Sequence, residues 1–283
     1  MVAYHSHVGP VLGNVMEISN PQVEERAARS ALRWPLFAGL IGAQIWLAHA
    51  IAFFLHEYAH STTAWLMGWK ENPLAINYAH PTIPVFLLQL GISENVNYDP
   101  IFAAGRGWQA AIIAAAGMVI GNALIAYPLS LWGMRRARHR RSRAWAMFFY
   151  WLCVASVGNF IDYVPVRSLA NDGDMHTLAQ GLGISPWWIL LVFGVPAVVA
   201  LAQFLFRVQP MLLRWALPQS AAARGVVVFL TASAIFGFYG AAGISESDPA
   251  SHWMSVISVC GMTPIMTLIG LLVVNRKHPE TAS

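Results

Sequence analysis

Residues 35–69 read PLFAGLIGAQIWLAHAIAFFLHEYAHSTTAWLMGW, and the way this stretch divides decides the fold. Its first part is apolar for roughly the 20 residues that an α-helix needs to cross a bilayer. Its final third carries His56, Glu57 and His60, then Ser61, Thr62 and Thr63, so the helix is expected to leave the hydrocarbon while continuing towards Trp69. HEYAH, residues 56–60, sets two histidines four apart on one helical face, with imidazoles converging as a tetrahedral zinc requires. Glu57 between them can reach a water at such a centre as general base. The competing reading is a helix with two interfacial histidines near a membrane surface.

Outward from that helix, the whole chain has membrane-protein composition. Of 283 residues, 57% are hydrophobic and only 11% charged, too few polar side chains to cover a soluble globule. The net charge of +4 does not point to nucleic acid, because the basic residues fall in short blocks between apolar stretches, where they act as topology signals. Cys153 and Cys260 each sit in an apolar stretch without CxxC pairing, which excludes a disulfide framework or a thiolate zinc site and leaves them as small hydrophobes. Met1 to Asn20 lacks the basic start and short apolar core of a cleavable signal peptide, so the first apolar segment is expected to remain as a span.

Six spans are predicted: Pro35 to about Trp69, Gly107 to Trp132, Ala144 to Asn159, Trp187 to Phe206, Gly225 to Gly243, and Trp253 to Val274. Trp34, Trp69, Trp132, Trp187, Trp188 and Trp253 fall near their ends, as an interfacial aromatic belt requires. Fourteen of the 17 basic residues, among them the run from Arg135 to Arg143, fall on one side; Lys70, Arg106 and Arg167 fall on the other. The positive-inside rule then places both termini in the cytoplasm. The fold class expected is an all-α polytopic membrane protein of about six transmembrane helices. Residues 1–34 form a cytoplasmic N-terminal segment and residues 35–283 one membrane domain. Between spans one and two, Ile83-Pro-Val-Phe-Leu-Leu-Gln-Leu is too short to cross and is expected to form a re-entrant or hairpin segment or an edge strand.

Two histidines leave a zinc under-coordinated, and a catalytic site adds a third side chain while keeping the fourth position open. On the side of the membrane that carries HEYAH, three of the five aspartates fall in one segment, Asp162, Asp172 and Asp174. Asp174 is the preferred third ligand, because Met175-His-Thr-Leu-Ala behind it can open a short helix that fixes a carboxylate at its start. Asp172 is the alternative, with His176 and Asp162 behind it; a turn and helix cap would also account for Asn-Asp-Gly-Asp without any metal.

HEYAH, the small-residue stretch Ala114-Ala-Ala-Gly-Met-Val-Ile-Gly-Asn122, and Asn159 followed by Pro165 and Asp172-Gly173 resemble, over about residues 36–183, the site-2-protease family of intramembrane zinc metalloproteases. Asp162 stands where that family often has proline, and Asp-Gly arrives several residues late. The resemblance implies a metalloprotease-like core at about 36–183 with accessory helices at about 187–274. It also implies zinc as cofactor, Glu57 as general base, Asn159 as a residue binding the substrate backbone, and a membrane protein or peptide as partner within the lipid bilayer. The resemblance further implies a zinc site facing the cytoplasm, opposite to the charge pattern. His49 shares the face of His56 and is read as a buried histidine bonded to a neighbouring span, and Gly117 and Gly121 as a small-xxx-small packing stripe. Two other classes fit the same residues: a non-proteolytic membrane metalloprotein and a small transporter whose ionisable groups mark an ion path. Against the transporter, spans four to six are free of charge in their middles.

Overall fold

A computed structural model describes residues 21–276, with side chains from Trp34 onward. The chain divides into two compact units, Met1–Gly42 and Ala43–Ser283. Of the N-terminal segment expected at 1–34, residues 1–20 lie outside the described residues and the rest is helical from Pro21. The side chains of Arg26, Arg29 and Arg33, and all of Lys277, also lie outside them.

Among the described residues, six helices are long and apolar enough to cross a bilayer: Trp34–Leu66, Gly107–His139, Arg143–Val166, Pro186–Ala216, Ala221–Ala241 and Pro249–Asn275. The protein is an all-α polytopic membrane protein; among the described residues there is no strand, only an isolated antiparallel bridge between Asn77 and Ser93. The first helix ends at Leu66 rather than continuing to Trp69. Gly68 takes a left-handed φ of +79° and donates to the Trp65 carbonyl, while the Trp69 amide donates to the Ala64 carbonyl at 2.9 Å. That pair of bonds is a Schellman stop, which glycine enters without a Cβ penalty.

Span three, expected over Ala144 to Asn159, runs on to Val166 and is the central helix. Every residue from Tyr150 to Ile161 is buried, as follows for a helix that is apolar on all sides. Hydropathy reading stopped it at Asn159 because Asn159 and Asp162 are polar, yet the helix continues through them as a π-helical turn, Asp162–Val166, within which Val164 is extended. Span two likewise carries a π-helical stretch, Gly117–Ala126. Spans four and six turn apolar faces outward, with Leu191, Val195, Val198 and Leu272 all exposed.

The stretch between spans one and two forms a hairpin whose tip is a helix, Ile83–Leu88, in place of the edge strand considered above. Thr82 caps it by accepting from the Val85 amide, and Pro84 sits in its first turn, where the lost N–H costs nothing. Lys70 ties the hairpin base by donating to the carbonyls of Ala75, Glu94 and Asn95 at 2.6–2.9 Å. The tip folds back along span one: the Trp46 indole donates to the Phe86 carbonyl at 3.0 Å, and His49 Nε2 lies 3.4 Å from the Leu88 carbonyl. Ten residues separate Trp46 from His56, about 15 Å of helix, so the tip lies well below HEYAH.

Candidate metal centre

Three ligand atoms converge where spans one, two and three meet. Nε2 of His56 and Nε2 of His60 stand 2.9 Å apart; Oδ2 of Asp174 lies 3.4 Å from the first and 3.2 Å from the second. Bonds of about 2.0–2.1 Å to a tetrahedral cation imply separations between ligand atoms of about 3.3 Å. The triangle is therefore the size that one cation at its centre requires, and His56, His60 and Asp174 can hold a metal ion.

Each corner is held by its surroundings. His60 Nδ1 donates to the Ile113 carbonyl at 2.6 Å, which fixes the tautomer and leaves Nε2 free to ligate. His56 Nδ1 lies 3.1 Å from Asn122 Nδ2, whose amide also donates to Asn159 Oδ1. Asn122 is fully buried, and its Oδ1 has no hydrogen-bond partner. The two ends of an amide exchange by a half-turn, and turning Asn122 and Asn159 together brings this orphaned oxygen to the His56 Nδ1–H while keeping the hydrogen bond between the two amides. That arrangement leaves the Nε2 lone pair of His56 for a cation, so the donor set fits a metal.

Asp174 occupies the second position of the helix Gly173–Leu182. Gly107 and Gly181 let this helix lie against the start of span two, since a Cβ on Gly107 would stand 2.9 Å from the Gly181 carbonyl oxygen. Burial opposes the charged Asp174 carboxylate, but the imidazoles of His60 and His56 outweigh it and hold the carboxyl below its ordinary range. The alternative ligand, Asp172, is exposed at the N-cap of the same helix and is not part of the triangle. His176 and Asp162 are also outside it, Asp162 facing Arg167 at 3.6 Å.

Beside the triangle is a cavity of about 630 Å³, lined by Glu57, Glu94, Asn159, Tyr163, the backbone from Leu88 to Glu94, and Tyr239. Glu57 is buried there at 7% exposure. Asn159, expected to bind a substrate backbone, lines this cavity while its side-chain amide pairs with that of Asn122 behind His56. His49 bonds Tyr239 at 2.7 Å, the contact to a neighbouring span expected of it. The corner between spans five and six reaches the same place: Arg167 faces Glu246 at 3.4 Å, and Asn171 donates to Ser247 at 3.3 Å.

Tyr163 and Arg167 have no role in the sequence reading: they are polar groups beside an apolar span, a signal that marks function or pairing, but nothing in spacing ties them to HEYAH. Asn122 enters that reading only within the small-residue stretch that carries the family resemblance, without a role of its own. Gly117 was assigned to packing, whereas a Cβ there would collide with both imidazole tips. The packing role of Gly121 does hold, since a Cβ would stand 2.6 Å from the Leu55 carbonyl oxygen. No family model, curated protein or solved structure matches the chain.

Proposed function

We propose that the protein is an intramembrane zinc metalloprotease, similar to the site-2-protease family, that hydrolyses peptide bonds of membrane-associated substrates near the bilayer surface. The observation that carries this reading is the position of Glu57, an acid buried in the same cavity as the three ligand atoms. Burying a carboxyl costs free energy, and a metal that merely braces the helices has no use for it.

His56, His60 and Asp174 would hold the cation, and two imidazoles favour zinc over the hard cations magnesium and calcium. When bound, the zinc supplies Lewis acidity to a water and to the scissile carbonyl. Glu57 removes the proton of the attacking water and returns it to the leaving amine. On this reading an extended segment lies in the cavity beside residues 88–94, and a helical substrate must unwind locally before its carbonyl is accessible. The partners on this reading are a membrane protein or peptide and the bilayer itself, and no nucleic acid.

Glu57→Gln is expected to keep about one metal per chain while hydrolysis of a quenched fluorescent peptide library in micelles falls by about 10²–10⁴-fold. Equal hydrolysis by both proteins removes Glu57 from the chemistry, and hydrolysis by neither sinks the reading in favour of a structural metal.

Charge asymmetry supports cytoplasmic termini and an outward-facing centre. A reporter fused after Trp69 is expected to be active on the outer side; cytoplasmic activity there reverses the orientation and restores that of the resembled family.

A further inference from the structure

The hydroxyl of Tyr163 lies 2.9 Å from Nε2 of His56, the atom that forms one corner of the ligand triangle. Three neighbours hold the phenol there. Its ring stacks on the His56 imidazole with centroids 4.9 Å apart and planes 23° off parallel. The Arg167 guanidinium carbon stands 5.5 Å from its ring centre, and that guanidinium is itself placed by Asp162 and Glu246. Extended backbone at Val164 then breaks the helical path directly after it. Stacking and cation–π contact each narrow the ring's freedom, so the hydroxyl position is set by the surrounding structure.

The separation of 2.9 Å falls within the range of the triangle's own edges, 2.9–3.4 Å. The phenol oxygen therefore stands at ligand-atom spacing from the His56 corner of the triangle, on the wall that Tyr163 contributes to the cavity. Once a cation engages the Nε2 lone pair, His56 offers nothing for the hydroxyl proton. The O–H is then free to donate to an oxygen held at the centre.

The geometry points to Tyr163 as a further catalytic residue: the hydrogen-bond donor to the oxygen held at the centre, a water at rest and the developing oxyanion of the scissile carbonyl during hydrolysis. A preplaced donor of this kind is worth most where charge develops in a site shielded from bulk water. The assignment rests on the three-ligand centre proposed above and names a fourth side chain that acts on what the centre binds.

The test uses the full-length protein loaded with Co²⁺ and titrated with acetohydroxamate, whose oxygens mimic that oxyanion, following the visible cobalt bands. Wild type is expected to bind the hydroxamate. Tyr163→Phe is expected to hold the same amount of Co²⁺ and to bind hydroxamate about 10–100-fold more weakly, as loss of a hydrogen bond to a charged oxygen implies. Equal hydroxamate affinity in the two proteins overturns the inference, as does absence of hydroxamate binding by Co²⁺-loaded wild type. A second measurement needs no variant: wild type loaded with Cu²⁺ is expected to lack an intense tyrosinate-to-copper charge-transfer band. Its presence would make Tyr163 a fourth ligand that closes the site, and would overturn the donor role even if Tyr163→Phe fails to fold. Hydroxamate binding that depends on Tyr163 in a protein that hydrolyses no peptide would refute the protease reading alone.

Discussion

Replacing His56 and His60 together with alanine is expected to lower zinc affinity by about 10⁴–10⁶-fold, because structural zinc sites bind with about 10–16 kcal/mol shared among about four ligands. The remaining Asp174 offers a single carboxylate oxygen to the triangle, and nothing else among the described residues completes a comparable group of three. Metal content after chelator competition, measured beside far-UV circular dichroism to establish that the helices persist, reads this directly. Unchanged metal binding in the double variant would place the cation elsewhere and remove the basis of the hydrolytic reading.

Gly117→Ala should be almost as severe although the substitution adds one methyl group. The new Cβ lands on Nε2 of both histidines, and neither imidazole has room to retreat. His60 is tied through Nδ1 to the Ile113 carbonyl, and His56 is held between Asn122 on its Nδ1 and the Tyr163 ring stacked against it. Either span two withdraws from span one or the ligand atoms leave their triangle. Zinc affinity is expected to fall by about 10³-fold, as for the loss of one ligand, with the overpacking itself costing about 1–3 kcal/mol. Chelator competition and thermal unfolding in detergent report the two effects separately. Wild-type affinity in Gly117→Ala would show that span two does not press on the imidazoles.

The parts of this molecule legible in the sequence are those encoded by local periodicity or fixed spacing. Six apolar runs mark six helices, and HEYAH declares two ligands because four residues are one helical turn. Asp174 was readable because a carboxylate at the start of a short helix is a local feature, and that helix is present. The remainder depends on registers between helices. Whether Gly117 separates two helices or makes room for two imidazoles is settled only by which residues of span one lie opposite it. The same holds for Asn122, which is one polar residue in an apolar helix until His56 and Asn159 are placed on either side of it. Tyr163 belongs to a π-helical turn, a departure from regular helix that periodicity does not report and that often accompanies functional sites. Spans four to six read as featureless because their contribution comes from the corner residues Tyr239, Glu246 and Ser247.

The hairpin between spans one and two has a consequence for traffic. Its tip helix shows Ile83, Phe86 and Leu87 to the outside, while the backbone that follows, Gln89 to Glu94, borders the reaction chamber. This strip of chain stands as a screen beside the cavity. A polypeptide sliding in sideways from the lipid meets this screen before it meets the imidazoles, and the tip is latched to span one by contacts from Trp46 and His49. Unfastening two such bonds costs roughly 1–3 kcal/mol, a barrier that ordinary loop motion crosses many times a second. On the proposed reading, this screen is the element that would swing aside for a substrate.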